Sequence, residues 1–364
     1  MRGVVWGGVR RGDGVGIVAQ TTPSTVLAFL GCWAAGAVAV PLPLPMRAVD
    51  PAAFLDQTRR RLERVEARLV TMPGQLFPLA GGLGESFRLV AAEELASGGD
   101  LAPAPSGKDD VAMVQFTSGS TSEPRGVILT HGNILANARS ISRKVKVSPK
   151  DRVVSWMPLY HDMGLIGFLV TAIHAGSSLL LMPPQRFVSD PALWMRKISD
   201  FRATLTGGPN FAYALTCRIL SSGEAGDLDL SSLRLALNGA EPVDHEVMDE
   251  FARVGAGYGL KPYVPYPVYG LAEATLAVTF PRPGRRYRLD HVSRGGIEEE
   301  RVALPCEPGG EGTRTLVSLG SPLEGVEVTI VKEDGHEAAE REVGEVCVRG
   351  ASVMQGYWGD AAAT

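Results

Sequence analysis

The sequence predicts an α/β fold of stacked, mostly parallel sheets flanked by helices, with a small β-barrel-like subdomain near the C-terminus. Short apolar runs rich in Val, Ile and Leu alternate along the chain with longer segments of helical pattern. This alternation is typical of βαβ units, in which helices cover parallel strands. A chain of 364 residues is also long enough for two or three packed subdomains.

The strands of the α/β body are predicted at short runs that are mainly apolar and rich in Val, Ile and Leu, as expected for buried parallel strands. These runs are Val15–Ala19, Ala112–Phe116, Val153–Trp156, Ser178–Met182 and Leu233–Leu237. The predicted helices are Pro51–Val65, Asn133–Ser142, Asp190–Phe201, Phe211–Ile219 and Asp244–Val254.

Two segments of the first hundred residues need a separate interpretation. The most apolar stretch, Val26–Val40, is shorter than the roughly 20 residues that span a bilayer, so it predicts a buried helix followed by a strand and no membrane span. The helix around Arg59–Arg68 carries alternating charges, which predict a solvated face rather than a binding role.

The pattern changes towards the C-terminus. Strand-like runs at Leu316–Gly320, Val326–Val331 and Glu345–Arg349 are separated by Gly and Pro turns, which favours a small antiparallel or barrel-like unit. Before them, Pro281–Gly312 is rich in Arg, Gly, Pro and Glu and has weak periodicity, so it is an ordered insertion or a mobile loop. The expected division is a first α/β subdomain (1–110), a second (111–280), the insertion (281–314) and a small β subdomain (315–364).

Composition excludes several functional classes. The formal net charge of −4 argues against a nucleic-acid partner, which would usually demand a basic face. The four cysteines lie far apart without a Cys-x-x-Cys pair, which argues against a zinc site or a disulfide framework and favours a reducing cytoplasm. The first residues lack the apolar core of a signal peptide.

The strongest functional signal is the segment Phe116–Gly126, which follows one apolar strand and precedes another. Six consecutive small residues, five with hydroxyl groups, place backbone and side-chain donors in one loop, and Arg125 adds a fixed positive charge. Such a loop suits a polyanion, although composition alone would also allow a flexible Ser/Thr turn. It is not a Walker loop, because no Gly-Lys-Ser/Thr follows.

The order of residues in this loop resembles the phosphate loop of the adenylate-forming superfamily, with Arg125 where Lys is commoner. That superfamily includes acyl-CoA synthetases, luciferases and nonribosomal adenylation domains. The resemblance implies that the loop contacts nucleotide phosphates through Thr117, Ser118, Gly119, Ser120 and Thr121.

Further motifs follow in the superfamily's order. Tyr269-Gly270-Leu271-Ala272-Glu273 is similar to its Tyr-Gly-x-x-Glu motif, in which the ring stacks on adenine and the carboxylate holds Mg²⁺. The segment Asn238-Gly239-Ala240-Glu241 resembles its adenine-pocket loop. Gly344–Gly350 and Gly356-Tyr357-Trp358 resemble the strand and turn near the end of the large domain.

Other residues resemble the fatty acyl-AMP ligase branch. Met157–Leu165 looks like that branch's histidine motif, which would place His161 where the acyl carboxylate meets the α-phosphate. Ser122, the run Gly207–Ala212 and the position of the 281–312 segment are also common in the branch. The resemblance implies an apolar tunnel for the acyl chain past Gly208, Phe211 and Val268.

The resemblance implies that a fatty acid and ATP give acyl-adenylate and pyrophosphate, with His161, Arg125 and Glu273 as the catalytic residues. Mg²⁺ would be the metal and an acyl carrier protein the acceptor. Early strands of the family, its ribose-binding Asp and the lysine of its small C-terminal domain have no counterpart in this sequence, so weak turnover by this chain is expected. An acyl-CoA ligase and a non-catalytic nucleotide- or acyl-adenylate-binding module are the alternatives.

Overall fold

The structure is a computed structural model that describes residues 8–44, 50–97, 103–117, 124–223 and 225–364. The chain forms two compact units. The first comprises Met1–Ala136, Met157–Gly167 and Ser352–Thr364, and the second comprises Asn137–Trp156 and Phe168–Ala351.

The first unit is built on a six-stranded sheet in the order β4-β3-β1-β2-β5-β6. All neighbouring strands are parallel except β5 and β6. Its strands are β1 (Gly14–Val18), β2 (Val38–Leu42), β3 (Leu69–Met72), β4 (Arg88–Ala91), β5 (Val111–Phe116) and β6 (Gly126–Thr130). The apolar runs form strands because β1, β2 and β3 are buried along their whole length.

The helices of the first unit begin at recognisable caps. The Thr22 side chain accepts a hydrogen bond from the Thr25 N–H, and Asp50 caps the next helix in the same way. A proline at the first helical position follows each cap, where the missing N–H costs nothing. The helices are α1 (Pro23–Ala34), α2 (Pro51–Arg64), α3 (Leu83–Ser86) and α4 (Ala92–Ser97), and α5 (His131–Val145) begins here and continues into the second unit.

The second unit contains a five-stranded, entirely parallel sheet in the order β11-β10-β9-β7-β8. Its strands are β7 (Arg152–Ser155), β8 (Ser178–Leu181), β9 (Leu205–Gly208), β10 (Leu235–Asn238) and β11 (Pro265–Pro267). Its helices are α6 (Thr171–Ala175), α7 (Pro184–Ser189), α8 (Ala192–Phe201), α9 (Asn210–Ser222) and α10 (His245–Gly255). A π-helical segment, Met163–Val170, leads into α6.

Small antiparallel sheets complete the second unit, as the C-terminal strand pattern predicted. One has the order β12-β13-β16, and β14 with β15 and β17 with β18 form two pairs. The strands are β12 (Tyr269–Gly270), β13 (Ala277–Phe280), β14 (Leu289–Ser293), β15 (Thr313–Val317), β16 (Ser321–Pro322), β17 (Val326–Val331) and β18 (Glu345–Gly350). The short helix α11 (Arg294–Glu298) follows β14.

The 281–312 segment is ordered, which decides between the two alternatives left by the sequence. Its strand β14 pairs with β15, so β15 begins three residues before the predicted run at Leu316. The Tyr287 hydroxyl donates to Asp249 Oδ1 at 2.5 Å, and Arg286 donates to the same atom at 2.7 Å. Asp249 on α10 therefore anchors the start of the segment.

The apolar stretch and the charged helix of the first hundred residues can be compared with their predictions. The apolar stretch Val26–Val40 forms most of α1 and the start of β2, as predicted, and no helix within the described ranges is long and apolar enough to cross a membrane. The charged face of α2 agrees with the prediction at Arg60 and Arg64, which are exposed, whereas Arg59 and Arg61 are half-buried.

Candidate active site

The strands β5 and β6 hold the two ends of the predicted phosphate loop together. Phe116 pairs with Gly126, and the Thr117 N–H donates to the Arg125 carbonyl at 3.0 Å. Thr117 and Arg125 therefore lie opposite each other, one at each end of the loop. Ser118, Gly119, Ser120 and Thr121 lie outside the described residues, so their phosphate contacts stay a prediction.

The turn Gly356-Tyr357-Trp358 binds to the strand that follows this loop. The Ile128 N–H donates to the Gly356 carbonyl at 3.0 Å, and the Trp358 N–H donates to the Gly126 carbonyl at 2.7 Å. This pairing places the Tyr357 ring beneath Arg125, whose guanidinium carbon lies 5.2 Å from the ring centroid. A cation over an aromatic face at this distance is attracted to it.

Two arginines of α2 also reach the borders of the phosphate loop. Arg64 donates to the Pro124 carbonyl at 3.1 Å, and the Arg61 guanidinium lies 5.9 Å from the Phe116 ring centroid. Burial lowers the pKa of Arg61. Arg64 is exposed, as the prediction of a solvated face requires, whereas Arg61 is half-buried and departs from that prediction, because periodicity identifies a charged face but not what packs on it.

Gln115 connects the strand before the loop to the histidine motif. Its Nε2 donates to the Tyr160 carbonyl at 2.9 Å, and the side chain is almost wholly buried. Its Oε1 is buried as well and accepts no hydrogen bond within the described part of the chain. Gln115 was not predicted as a site residue, although it is the one polar side chain in the otherwise apolar run of β5.

The backbone around His161 is held by close packing. The His161 N–H donates to the Pro158 carbonyl at 3.1 Å, and the Gly164 and Leu165 N–H groups both donate to the His161 carbonyl at 3.0 Å. A Cβ added to Gly164 would lie 2.2 Å from the Pro158 oxygen, so only glycine fits there. The π-helical segment that follows is a rare conformation that is frequent at functional sites.

Asp162 orients the His161 ring and increases its basicity. The His161 Nδ1 and Asp162 Oδ1 lie 2.7 Å apart, and the Met163 N–H donates to the same Oδ1 at 2.6 Å. Burial lowers the pKa of His161, but the hydrogen bond and charge of Asp162 outweigh it, so the pKa lies above its usual value. Because Nδ1 faces Asp162, Nε2 is the ring nitrogen left to meet a substrate, and the side chain is 41% exposed.

In the second unit, three parallel strands end side by side. Gly208 of β9 is in register with Asn238 of β10, and Asn238 is in register with Pro267 of β11. The segments that follow these strand ends contain Phe211, Gly239 and Val268. The structure therefore brings the predicted adenine and acyl residues to one carboxyl edge of a parallel sheet, where ligands of such sheets bind.

The loop after β10 is fixed by its neighbours. Asn238 is fully buried and its Nδ2 donates to Asn210 Oδ1 at 2.9 Å. A Cβ on Gly239 would meet the Val268 side chain at 2.8 Å. Ala240 has a φ of 70° and is exposed, while Glu241 accepts the Phe211 N–H at 2.9 Å and so caps α9.

An aromatic cluster lies beneath the predicted acyl residues. Trp156 stacks on Phe187 with ring centroids 4.0 Å apart, and a Cβ on Gly208 would lie 3.2 Å from the Trp156 ring. Phe211 contacts the edge of this cluster and is 53% exposed. Gly208 thus leaves room for a large flat side chain, and Phe211 offers an apolar face to a ligand.

A tight turn carries Glu273. Tyr269 and Gly270 pair with β13, and a single 3₁₀ turn, Ala272–Ala274, connects them. A Cβ on Gly270 would lie 1.8 Å from the Leu276 oxygen, the closest such contact in the described chain. Both Tyr269 and Glu273 are half-buried, so the ring and the carboxylate are each partly accessible.

Comparison with known proteins gives a consistent result. Residues 5–358 match the family model described as AMP-binding enzyme. The chain is 35% identical, over 98% of its length, to the putative ligase Rv1013 of Mycobacterium tuberculosis, of which it covers 65%. It is 33% identical, over 92% of its length, to the medium-chain-fatty-acid–acyl-carrier-protein ligase JamA of Moorena producens, of which it covers 58%.

Among solved structures, the chain is similar to one from a study of fatty acyl-adenylate ligases of E. coli and L. pneumophila. The TM-score is 0.92 at 34% identity, with 98% of this chain and 65% of that chain covered. The chain thus spans less than two thirds of the length of these relatives.

Proposed function

We propose that this chain, which belongs to the AMP-binding enzyme family and whose homologues include fatty-acid–acyl-carrier-protein ligases, activates a fatty acid with ATP. The products would be an acyl-adenylate and pyrophosphate. The observation that carries the proposal is the family match along nearly the whole chain, together with relatives named as fatty acid ligases. The four free cysteines support a reducing cytoplasmic location.

In the proposed reaction, a carboxylate oxygen of the fatty acid attacks the α-phosphorus of ATP. The new C–O–P linkage forms as the bond from that phosphorus to the bridging oxygen of pyrophosphate breaks, and pyrophosphate leaves with the electron pair. Little covalent chemistry falls to the protein, so catalysis is mainly positioning and charge neutralisation. Arg125 would neutralise phosphate charge, and His161 would donate from Nε2 where the carboxylate meets the phosphate.

The nucleotide base would stack on Tyr269, beside the loop Asn238–Glu241. Gly208, Phe211 and Val268 would line the path of the acyl chain, because they lie at the same strand edge as that loop. A flat ring suits a flat base, and an apolar edge suits an alkyl chain.

Glu273 would hold Mg²⁺ against the phosphates. Within the described ranges, no three His, Cys, Asp or Glu side chains cluster as a metal site. A single half-buried carboxylate fits Mg²⁺ that arrives with ATP, because this ion usually keeps water and phosphate ligands and takes one or two protein carboxylates. When bound, the ion would neutralise charge on the phosphates.

The binding step is tested by calorimetry with dodecanoyl-sulfamoyl adenosine, a stable mimic of an acyl-adenylate. We expect the chain to bind it and Tyr269→Ala to weaken binding by about 1–3 kcal/mol, the range for base–aromatic stacking. Tyr263→Ala is the control, since it removes a nearby half-buried tyrosine that has no proposed role. No binding by the unchanged chain, or equal losses in both variants, contradicts the proposal.

Catalysis is tested separately by pyrophosphate release. Release that requires both ATP and a fatty acid identifies an enzyme. Binding of the mimic without any such release would favour the non-catalytic binding module instead.

We further propose an acyl carrier protein as the acceptor, with acyl-CoA formation as the second candidate. The support is the carrier-protein specificity in the names of relatives and the ordered 281–312 segment, held on α10 by Asp249. Competition between holo-carrier protein and CoA, resolved by chromatography, tests it. Abundant acyl-CoA from the unchanged protein would favour the CoA ligase, and an increase only in Asp249→Asn would support a restraint by the segment.

A further inference from the structure

The turn that carries Glu273 contains a strained residue. Thr275 has φ 70° and ψ −49°, close to a γ-turn conformation that is rare because it is sterically strained, and its side chain is wholly buried. Such a conformation persists only when the surrounding structure holds it in place. The residues between β12 and β13 supply part of this support, through the Leu271 N–H that donates to the Leu276 carbonyl at 2.8 Å.

The side chain of Asn137, on α5, supplies further support. Its Nδ2 donates to the Ala277 carbonyl at 2.8 Å and to the Ala274 carbonyl at 3.3 Å. Its Oδ1 accepts the Ala277 N–H at 3.1 Å. Asn137 is fully buried, so one amide bonds to the backbone on both sides of Thr275, away from competing water.

An amide is suited to this task because it offers donors and an acceptor on one short, rigid group. A carboxylate of the same shape would keep the acceptor but lose both donors. Alanine would lose all three hydrogen bonds and leave the backbone groups of the turn buried without partners, which favours a different turn.

We propose that Asn137 is a positioning residue that holds the turn of Glu273 in its strained form, so that the carboxylate is directed at the metal–nucleotide. The proposal rests on the proposed function. It assigns to Asn137 the outer-shell role that orients a metal-binding carboxylate without touching the metal.

The experiment compares Asn137→Ala with Ser140→Ala in the full chain. Ser140 is the control because it lies on the same helix, is nearly buried and donates to the Glu324 carbonyl at 2.8 Å, away from the turn. Hydrogen exchange of the Leu271–Ala277 amides is measured by mass spectrometry, and ATP binding by calorimetry over a range of Mg²⁺ concentrations.

We expect Asn137→Ala, but not Ser140→Ala, to speed exchange in the turn and to raise the Mg²⁺ concentration at half-maximal ATP binding. A rise of about 10-fold is typical when an outer-shell partner is lost. Glu273→Gln should raise the same midpoint without faster exchange in the turn. Thr275→Gly added to Asn137→Ala should recover part of the loss, because glycine adopts a positive φ at no steric cost.

Unchanged exchange, or faster exchange with an unchanged Mg²⁺ midpoint, overturns the proposal. If Asn137→Ala does not fold, Asn137→Asp is measured in its place and is judged by the same two criteria. If the unchanged chain does not bind Mg·ATP at all, the proposed function fails and with it the positioning role. If the unchanged chain binds Mg·ATP and the Asn137 variant has the same Mg²⁺ midpoint, only the positioning role is refuted.

Discussion

Replacement of Gly270 by alanine tests whether the geometry of the Glu273 turn is as tight as the structure shows. The added Cβ would lie 1.8 Å from the Leu276 oxygen, and this gap must open to at least 3.0 Å. The atom in the way is backbone, so no side chain can rotate to make room. The two strands of the turn must separate, and the hydrogen bond from Leu271 to Leu276 is lost as they do.

Two effects set the size of the change. Overpacking in a tight site costs about 1–3 kcal/mol, and the lost hydrogen bond adds about 0.5–1.5 kcal/mol. We therefore expect Gly270→Ala to lower the free energy of unfolding by about 1.5–4.5 kcal/mol. Mg·ATP binding should weaken too, because Tyr269 and Glu273 lie on either side of the displaced backbone.

Gly257→Ala is the matched control. Apart from its chain neighbours and the backbone of its own helical turn, no atom lies within 4 Å of the position of its Cβ, and its φ is not positive. Urea unfolding of both variants can be followed by the fluorescence of Trp156 and Trp194, which are buried in the same unit as the turn. The control should stay within about 0.5 kcal/mol of wild type. A Gly270→Ala variant that is equally stable would show that the turn has room for a Cβ at this position.

Two further predictions concern the first unit. Asp162→Asn should lower the pKa of His161 in an NMR titration, while His131, whose pKa burial already lowers, should not change. Since Asp162 favours the protonated ring, the stability lost in this variant should be largest below the unfolded pKa of about 6.5 and disappear as pH rises through the raised folded pKa. A titration of His161 identical to wild type would contradict the assignment. Tyr357→Leu should weaken pyrophosphate binding by about 2–5-fold in calorimetry, because it removes the exposed cation–π contact that orients Arg125. Tyr357→Phe keeps the ring and should bind as wild type does, and equal affinities for all three proteins would show that the contact has no role.

Much of the fold was predictable because its determinants are local. The apolar run Val326–Val331 forms a strand with the predicted ends, and Asp50 followed by Pro51 marks the start of α2 in the sequence itself. The placement of Gly208 beside Asn238 also follows, because consecutive βαβ units bring the carboxyl ends of their strands to one edge.

The contacts of the α2 arginines were not predictable in the same way. Arg64 lies 60 residues before Pro124 in sequence, and nothing in either segment specifies that they meet. A charge pattern shows which face of a helix carries the charged side chains. Which segment those side chains contact depends on how the strands between the helix and that segment are arranged in the sheet. Gln115 differs, since a polar side chain inside a buried strand needs a hydrogen-bond partner. The sequence therefore predicts that such a bond exists, but not that the Tyr160 carbonyl accepts it.

Helix α5 shows how a polar pattern can mislead. Asn133, Asn137 and Ser140 recur at helical spacing, and a polar stripe of this kind normally faces water. In the structure these three side chains are buried while Leu135 is 50% exposed. Each buried side chain donates to backbone carbonyls of a distant segment, at Val353, at Ala274 and Ala277, and at Glu324 respectively.

The feature that separates this stripe from a solvated one is side-chain length. Asn and Ser are short enough to sit inside a core if backbone groups satisfy them, whereas solvated faces favour Lys, Glu and Arg. On α5 the exposed charged positions, such as Arg139, lie outside the stripe. Short polar residues beside the apolar stripe Ile134, Ala138 and Ile141 therefore indicate a helix that binds the backbone of other segments. Asn137 is the polar residue of this helix that holds the turn of Glu273.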